Sequence, residues 1–159
     1  ALGNHSQAMV LERNAVDANP NNAFAHARMA SAALISGEVD ECQRHCDIVL
    51  ALSPFESFEA VARSYKAMCL YYKQEYEQAL IVFRSANDPK RMNVMHRSIE
   101  PLILIKLGQT EAAKVSIATI KTDFPSISYS IAIAGVQNPA PNMRVILLED
   151  LRELGVPEE

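Results

Sequence analysis

The chain has 159 residues, of which 49% are hydrophobic and 21% charged, and its formal charge at pH 7 is -4. These values are typical of one folded globular domain and exclude a disordered or low-complexity chain. Lys and Arg are scattered along the sequence, so no continuous basic face is available for a phosphate backbone, and no direct nucleic-acid partner is expected.

The first predicted helix covers about residues 4–19 and is interpreted as the second helix of an incomplete hairpin. Its apolar face contains Ala8, Leu11 and Ala15. From Ala23 onward, apolar residues recur at three- and four-residue spacing, which predicts a helix that ends at Gly37. A partner helix follows from about Glu38.

The partner helix is expected to end before Ser53, because Pro54 disfavours helical geometry for the residue that precedes it. Ser53 and Glu56 match a capping box and predict the start of the next hairpin. The apolar stripe of its first helix is Phe58, Val61, Tyr65, Met68 and Tyr72. A tight corner near Gln74 leads to a second helix that contains Tyr76, Ala79, Leu80, Phe83 and Ala86.

The segment Asn87-Asp88-Pro89 breaks the chain again, and the next helix leads to Gly108 with Pro101 inside it. A kink is expected there, because proline removes a helical hydrogen bond and clashes with the preceding turn. The partner helix covers about 109–122. The sequence then predicts a short apolar helix over 128–134, an extended linker at 138–141, and an amphipathic helix with Val145, Leu148 and Leu151 that ends at Gly155.

A repeat connects these elements. Pro20 and Pro54 lie 34 residues apart and close similar phrases, AVDANPNNA and VLALSPFES. The second predicted corner follows the first by 37 residues and the third follows the second by 34, so an insertion is expected near the Ser53 turn. A period of about 34 is that of one tetratricopeptide unit, a pair of antiparallel helices that needs a neighbour to bury its apolar face.

Over about residues 4–125 the chain resembles tetratricopeptide repeat proteins. The matching residues are Ala30, Gly37, Cys42, Cys46 and Pro54 in one unit, Ala67, Gln74, Ala79, Phe83 and Ala86 in the next, and Gly108, Ala113, Ile117 and Pro125 in the last. Lys66 and Glu100 stand where the family prefers a large apolar residue, and Pro101 where it prefers a small one.

The resemblance implies an all-α fold of antiparallel hairpins stacked in a right-handed superhelix with a C-terminal capping helix. One domain over 1–159 would hold a partial unit at 4–20, hairpins at about 22–52, 55–87 and 90–123, and C-terminal helices at 126–156.

The resemblance further implies a concave groove, lined by the first helix of each hairpin, that receives a peptide or a partner helix. The residues at matching motif positions are Phe24, Ser31, Leu34, Ser64, Met68, Tyr71, Met95, Ser98 and Leu102. Members of the family that clamp a C-terminal carboxylate use Lys, Asn and Arg where this chain has Ala27, Ser31, Val61 and Ser64, so capture of a chaperone tail is not expected.

A Met and Tyr stripe is the feature most typical of a contact surface, because these side chains adapt to helices and peptides. It consists of Met68, Tyr71, Tyr72 and Met95. The same spacing also fits packing within a hairpin, and the sequence leaves both roles open.

Cysteine use indicates free buried thiols in a reducing compartment, because Cys42, Cys46 and Cys69 make an odd count at helical positions. The expected location is the cytoplasm. The longest apolar runs, 102–105 and 131–136, are much shorter than the roughly 20 residues that span a bilayer, so no membrane segment is expected. Cys42, His45 and Cys46 form a C-x2-H-C pattern, but their spacing suits hairpin packing and no local fourth ligand is present, so no metal is expected.

The sequence contains no catalytic signature. Its histidines lie in four different predicted helices with no nucleophile motif or paired carboxylates beside them. We therefore expect chance surface or interface positions for His5, His26, His45 and His96. The glycines are isolated and form no phosphate-binding loop, so neither an enzyme nor a bound cofactor is predicted.

The predicted function is a protein-protein interaction or regulatory module of a larger bacterial cytoplasmic regulator. The sequence lacks an initiator Met and a leader, so it is expected to be a piece of a longer protein. Its ending from Leu147, LLEDLRELGVPEE, resembles the tail of repeat regions attached to some bacterial winged-helix transcriptional activators and class III nucleotide cyclases. Two alternatives stay open: homodimerisation through Ile131–Ala134, Val145–Leu151 or the first half-unit, and an accessory domain of an enzyme such as a nucleotide cyclase.

Overall fold

The computed structural model describes residues 2–52, 58–87, 92–125 and 141–154, and all regular structure within these ranges is α-helical. The predicted all-α class is therefore confirmed. The helices are α1 (Leu2–Ala18), α2 (Ala23–Ser36), α3 (Val39–Leu52), α4 (Phe58–Tyr72), α5 (Tyr76–Arg84), α6 (Val94–Arg97), α7 (Ile99–Lys106), α8 (Thr110–Asp123) and α9 (Pro141–Glu153).

The helices pack against one another in chain order. Helix α1 contacts α2, α2 contacts α3, α3 contacts α4, α4 contacts α5, and α7 contacts α8. Two further contacts skip one helix, because α2 also touches α4 and α4 also touches α7. The first helices of successive hairpins therefore lie side by side.

Three corners share one backbone motif. Gly37, Gln74 and Gly108 adopt left-handed conformations, with φ values of 80°, 64° and 70°. In each corner the next residue donates its N–H to the carbonyl oxygen five residues earlier, at 2.9 Å. This bond closes the helix end in the Schellman manner and turns the chain into the partner helix. The three corners predicted from the sequence thus share the same geometry.

Helix α2 begins at a side-chain cap. The Asn22 side-chain oxygen accepts hydrogen bonds from the N–H groups of Phe24 at 3.0 Å and Ala25 at 3.2 Å. These bonds satisfy donors that have no partner inside the helix, which fixes its start. The capping box predicted at Ser53 and Glu56 lies outside the described residues.

The helix that contains Pro101 is interrupted at Ser98, between α6 and α7. Proline has no N–H for the carbonyl of Arg97, four residues earlier, and its ring crowds that turn. The break therefore falls where a kink was expected. The predicted helix over 128–134 and the linker residues 138–140 lie outside the described ranges.

The core runs through the whole stack. All three cysteines are free and buried, as predicted. Helix α9 packs against α7 and buries Leu147 and Leu154. Within the described ranges, no helix has the combination of length and apolar character needed to cross a bilayer.

Candidate functional site

A groove of about 420 Å³ lies between α2 and α4, with α1 at one edge. We call it the α2–α4 groove. Mostly apolar side chains line it, with a few polar groups among them. They are Glu12, Phe24, Ala27, Arg28, Ser31, Ala32, Ile35, Phe58, Val61 and Tyr65.

An aromatic pair lies at the N-terminal ends of the two helices. Phe24 is 51% exposed, and its ring centroid lies 5.4 Å from that of Phe58. The guanidinium carbon of Arg28 lies 5.9 Å from the Phe24 centroid, within cation–π range. A large apolar ring is therefore held in position by two neighbours while half of it stays accessible.

An ion pair forms the α1 edge of the groove. Arg28 Nε donates to Glu12 Oε1 at 2.7 Å, and its Nη2 lies 2.5 Å from the same oxygen. The hydrogen bond and charge of Glu12 raise the pKa of Arg28. Both contacts use Oε1, and within the described part of the chain no hydrogen bond to Oε2 is formed. Glu12 thus has an acceptor available at the groove edge.

A hydroxyl pair connects the two helices farther along the groove. The Tyr65 hydroxyl donates to Ser31 Oγ at 3.3 Å, a long and weak hydrogen bond. Burial raises the pKa of Tyr65, and the bond to Ser31 opposes this rise. The phenol therefore stays protonated at neutral pH and retains a donor that a ligand carbonyl can accept.

Of the nine residues predicted to face a groove, Phe24 and Ser31 line this one. Six others are buried: Leu34, Ser64, Met68, Tyr71, Ser98 and Leu102. The side chain of Met95 lies outside the described residues. Met68 and Tyr71 are each only 1% exposed, so the structure favours the packing role for them over the groove role.

The buried serines are engaged within the array. Ser64 Oγ donates to the Val61 carbonyl oxygen at 2.7 Å and also lies 2.7 Å from His96 Nδ1. Ser98 Oγ donates to the Val94 carbonyl oxygen at 2.7 Å. Neither hydroxyl is positioned to set the register of a ligand.

The groove follows the repeat more closely than the sequence analysis assumed. Phe24 and Phe58, Ala27 and Val61, and Ser31 and Tyr65 are each 34 residues apart. Two of these pairs are in direct contact, through their rings or hydroxyl groups. Tyr65, rather than Ser64, is therefore the counterpart of Ser31, and this constant spacing was the signal that identifies Phe58, Val61 and Tyr65 as lining residues.

The same spacing relocates the three extra residues. They were expected near the Ser53 turn, which lies outside the described residues. Because the 34-residue register still holds at Tyr65 and is lost by the corner at Gln74, the extra residues fall in the last part of α4. The additional length is close to one helical turn and includes Tyr71 and Tyr72.

Ion pairs occupy two positions where the repeat family prefers apolar residues. Lys66 Nζ lies 2.5 Å from Asp47 Oδ1, which connects α4 to α3. Glu100 accepts from Arg84 at 2.8 Å and from Ser116 at 3.1 Å, which connects α7 to α5 and α8. Polar contacts between helices thus replace apolar packing at both positions.

The expectation of surface or interface histidines is wrong for three of the four. His26, His45 and His96 are buried, and the side chain of His5 lies outside the described residues. His26 Nδ1 lies 2.7 Å from His45 Nδ1, which connects α2 to α3. Helical spacing alone did not show that these imidazoles face the neighbouring helix.

The contacts of the histidine pair assign its protons. His26 Nε2 lies 3.0 Å from the Pro20 carbonyl oxygen and must donate to it. Neutral His26 then accepts at Nδ1 from His45 Nδ1–H, which leaves His45 Nε2 to accept from Arg44 at 2.8 Å. Burial, followed by the charge of Arg44, lowers the pKa of His45. The pair is a neutral structural link between hairpin helices.

Comparisons with known proteins found no match among family models, curated proteins or solved structures. Across the described ranges, no group of three or more His, Cys, Asp or Glu side chains is arranged to hold a metal ion. The functional argument therefore depends on the geometry of the α2–α4 groove.

Proposed function

We propose that this chain is a tetratricopeptide-like repeat module that binds a peptide or a partner helix of another protein in the α2–α4 groove. The observation that carries the proposal is the accessible Phe24 ring beside Phe58, at the junction of the first helices of two successive hairpins. The module acts by recognition, without a chemical step. A role within a larger bacterial cytoplasmic regulator is part of the same proposal.

The packing order supports the repeat architecture. Contacts of α2 with α4 and of α4 with α7 are those of stacked hairpins whose first helices form one surface. Three corners of equal geometry further support a repeated unit. A right-handed superhelix is the arrangement that we infer from these contacts.

The groove offers an apolar anchor point and a small set of polar groups, which is the usual composition of a binding site. Covering the exposed half of Phe24 would contribute on the order of 1 kcal/mol, because full burial of such a side chain contributes about 1.5–3 kcal/mol. Glu12 Oε2 and the hydroxyls of Ser31 and Tyr65 would fix the orientation of the ligand.

Selection from a displayed library of helical and extended peptides tests this proposal. Peptides selected on the wild-type chain are measured against Phe24→Ala and against Ile81→Ala, which removes an equally exposed apolar side chain from α5, outside the groove. We expect Phe24→Ala to weaken binding about tenfold, a loss near 1.4 kcal/mol, and Ile81→Ala to have no effect. Selected peptides that depend on Ile81 and not on Phe24 would refute the groove assignment.

A second candidate function is homodimerisation through α1. Leu11 and Val10 are 67% and 59% exposed, and Ala15 is also exposed, so the face predicted to pack has no partner among the described residues. Light scattering after size exclusion tests this alternative: a dimer at tens of micromolar that Leu11→Asp converts to a monomer supports it, and a wild-type monomer excludes it. The other segments predicted for dimerisation include Ile131–Ala134, which lies outside the described residues.

A further inference from the structure

A buried carboxylate connects the C-terminal helix to the array. Asp150 in α9 is 2% exposed, and its Oδ2 accepts a hydrogen bond from the Tyr71 hydroxyl. Its Oδ1 lies 2.6 Å from Nζ of Lys106. Tyr71 belongs to the last turn of α4 and Lys106 is the last residue of α7, so two helices of the array each supply one donor.

Two leucines flank the carboxylate on the same face of α9. Leu147 and Leu154 are buried three residues before and four residues after Asp150, a spacing that places all three on one side of a helix. Val145 and Glu149 are exposed. The array therefore contacts an amphipathic helix through an apolar, acidic, apolar face.

The two donors keep their protons. Burial raises the pKa of Tyr71, and the hydrogen bond and charge of Asp150 raise it further. Burial alone would lower the pKa of Lys106, but Asp150 raises it above the ordinary value. Both groups sit on packed helices, so the receptor for the carboxylate belongs to the array and not to α9.

We propose that Tyr71 and Lys106 form a second docking surface, which accepts a partner helix carrying Asp or Glu between two leucines spaced as in α9. Helix α9 is the resident occupant that such a helix displaces. Its main contacts are with α7, and residues 126–140 separate it from α8, so its departure leaves the hairpin contacts in place. Dissociation also returns Asp150 and Lys106 to water, which offsets the loss of their attraction.

A competing helix with the same three residues makes the same contacts, so exchange depends on concentration. The tether gives α9 an effective concentration on the order of mM, which an added helix must exceed. Weakening α9 in place should therefore expose the surface to an added copy of the same helix.

The test uses the complete chain and a fluorescent peptide of residues 141–154, followed by anisotropy. We expect a chain with Leu147→Ala and Asp150→Ala to bind this peptide at least about tenfold more tightly than the wild type. Adding Lys106→Met should reduce that affinity about tenfold or more. Adding Lys114→Met, which removes a lysine paired with Glu111 in α8, should leave it unchanged.

Equal affinity of the wild type and the doubly substituted chain overturns the proposal, as does an unchanged affinity after Lys106→Met. A wild-type dimer that Asp150→Asn dissociates would assign the surface to α9 of a second copy, and so would also overturn it. If the doubly substituted chain fails to fold, hydrogen exchange of the wild type decides. Exchange of α9 amides while α4 and α7 stay protected supports displacement, and exchange only on global unfolding contradicts it.

Discussion

Lowering the pH from 8 to 5 should destabilise the fold by about 2 kcal/mol through His96 alone. Burial lowers the pKa of His96 from its ordinary value of 6.5 to about 4. Between these values the unfolded chain binds a proton that the folded chain does not, so the free energy of unfolding falls as pH falls below 6.5. A full shift of this size corresponds to roughly 3 kcal/mol, of which about 2 kcal/mol is lost by pH 5.

Urea unfolding followed by circular dichroism at pH 8, 7, 6 and 5 measures the loss. The matched variant is His96→Leu, in which Ser64 still donates to the Val61 carbonyl. Its stability should fall by about 2 kcal/mol less than that of the wild type over the same range. His45, whose pKa is also lowered, adds to the remaining slope. The reasoning is refuted if both proteins lose the same stability, or if the wild type loses none.

The other predictions concern corners, core and cap. Gln74→Gly should stabilise the fold by about 0.5–1 kcal/mol, because glycine adopts a positive φ without strain, whereas Gly108→Ala should cost about 1 kcal/mol although its Cβ would meet no atom within 4 Å. Met68→Ala should cost about 2–5 kcal/mol, and its thermal unfolding should show loss of the fold itself; a stable variant with weakened ligand binding would restore its groove role. Asn22→Ala should cost about 1 kcal/mol while Asn22→Asp retains stability, measured by urea unfolding; equal losses would contradict the capping role.

The helices and corners were predictable because each has a local chemical signal. Glycine marks two of the corners, and apolar spacing identifies the helices between them. Gln74 lacks the glycine signal, yet its position in the repeat indicated a corner that the structure confirms. The break at Ser98 also followed from a local rule, the effect of Pro101 on the preceding turn.

The composition of the groove was less predictable, because it depends on which face of each helix meets its neighbour. The sequence gives spacing within a helix, but the rotation of α4 against α2 is set by packing across the hairpins. Ser64 was assigned to the groove, whereas the structure places it against His96 and gives Tyr65 the position opposite Ser31. A register of 34 residues, applied to each side chain and not only to corners, corrects this assignment.

Helix α4 separates the two proposed surfaces. Its first part keeps the repeat register, so Phe58 and Tyr65 face α2 and form the groove. Its last turn contains the residues that the repeat does not account for, and Tyr71 in that turn contacts Asp150 of α9. Because the extra turn lies beyond the groove residues, loss of α9 contacts leaves the Phe24–Phe58 pair intact. The two surfaces therefore have separate structural origins: a repeated contact between first helices, and an added turn that provides a donor for an acidic helix.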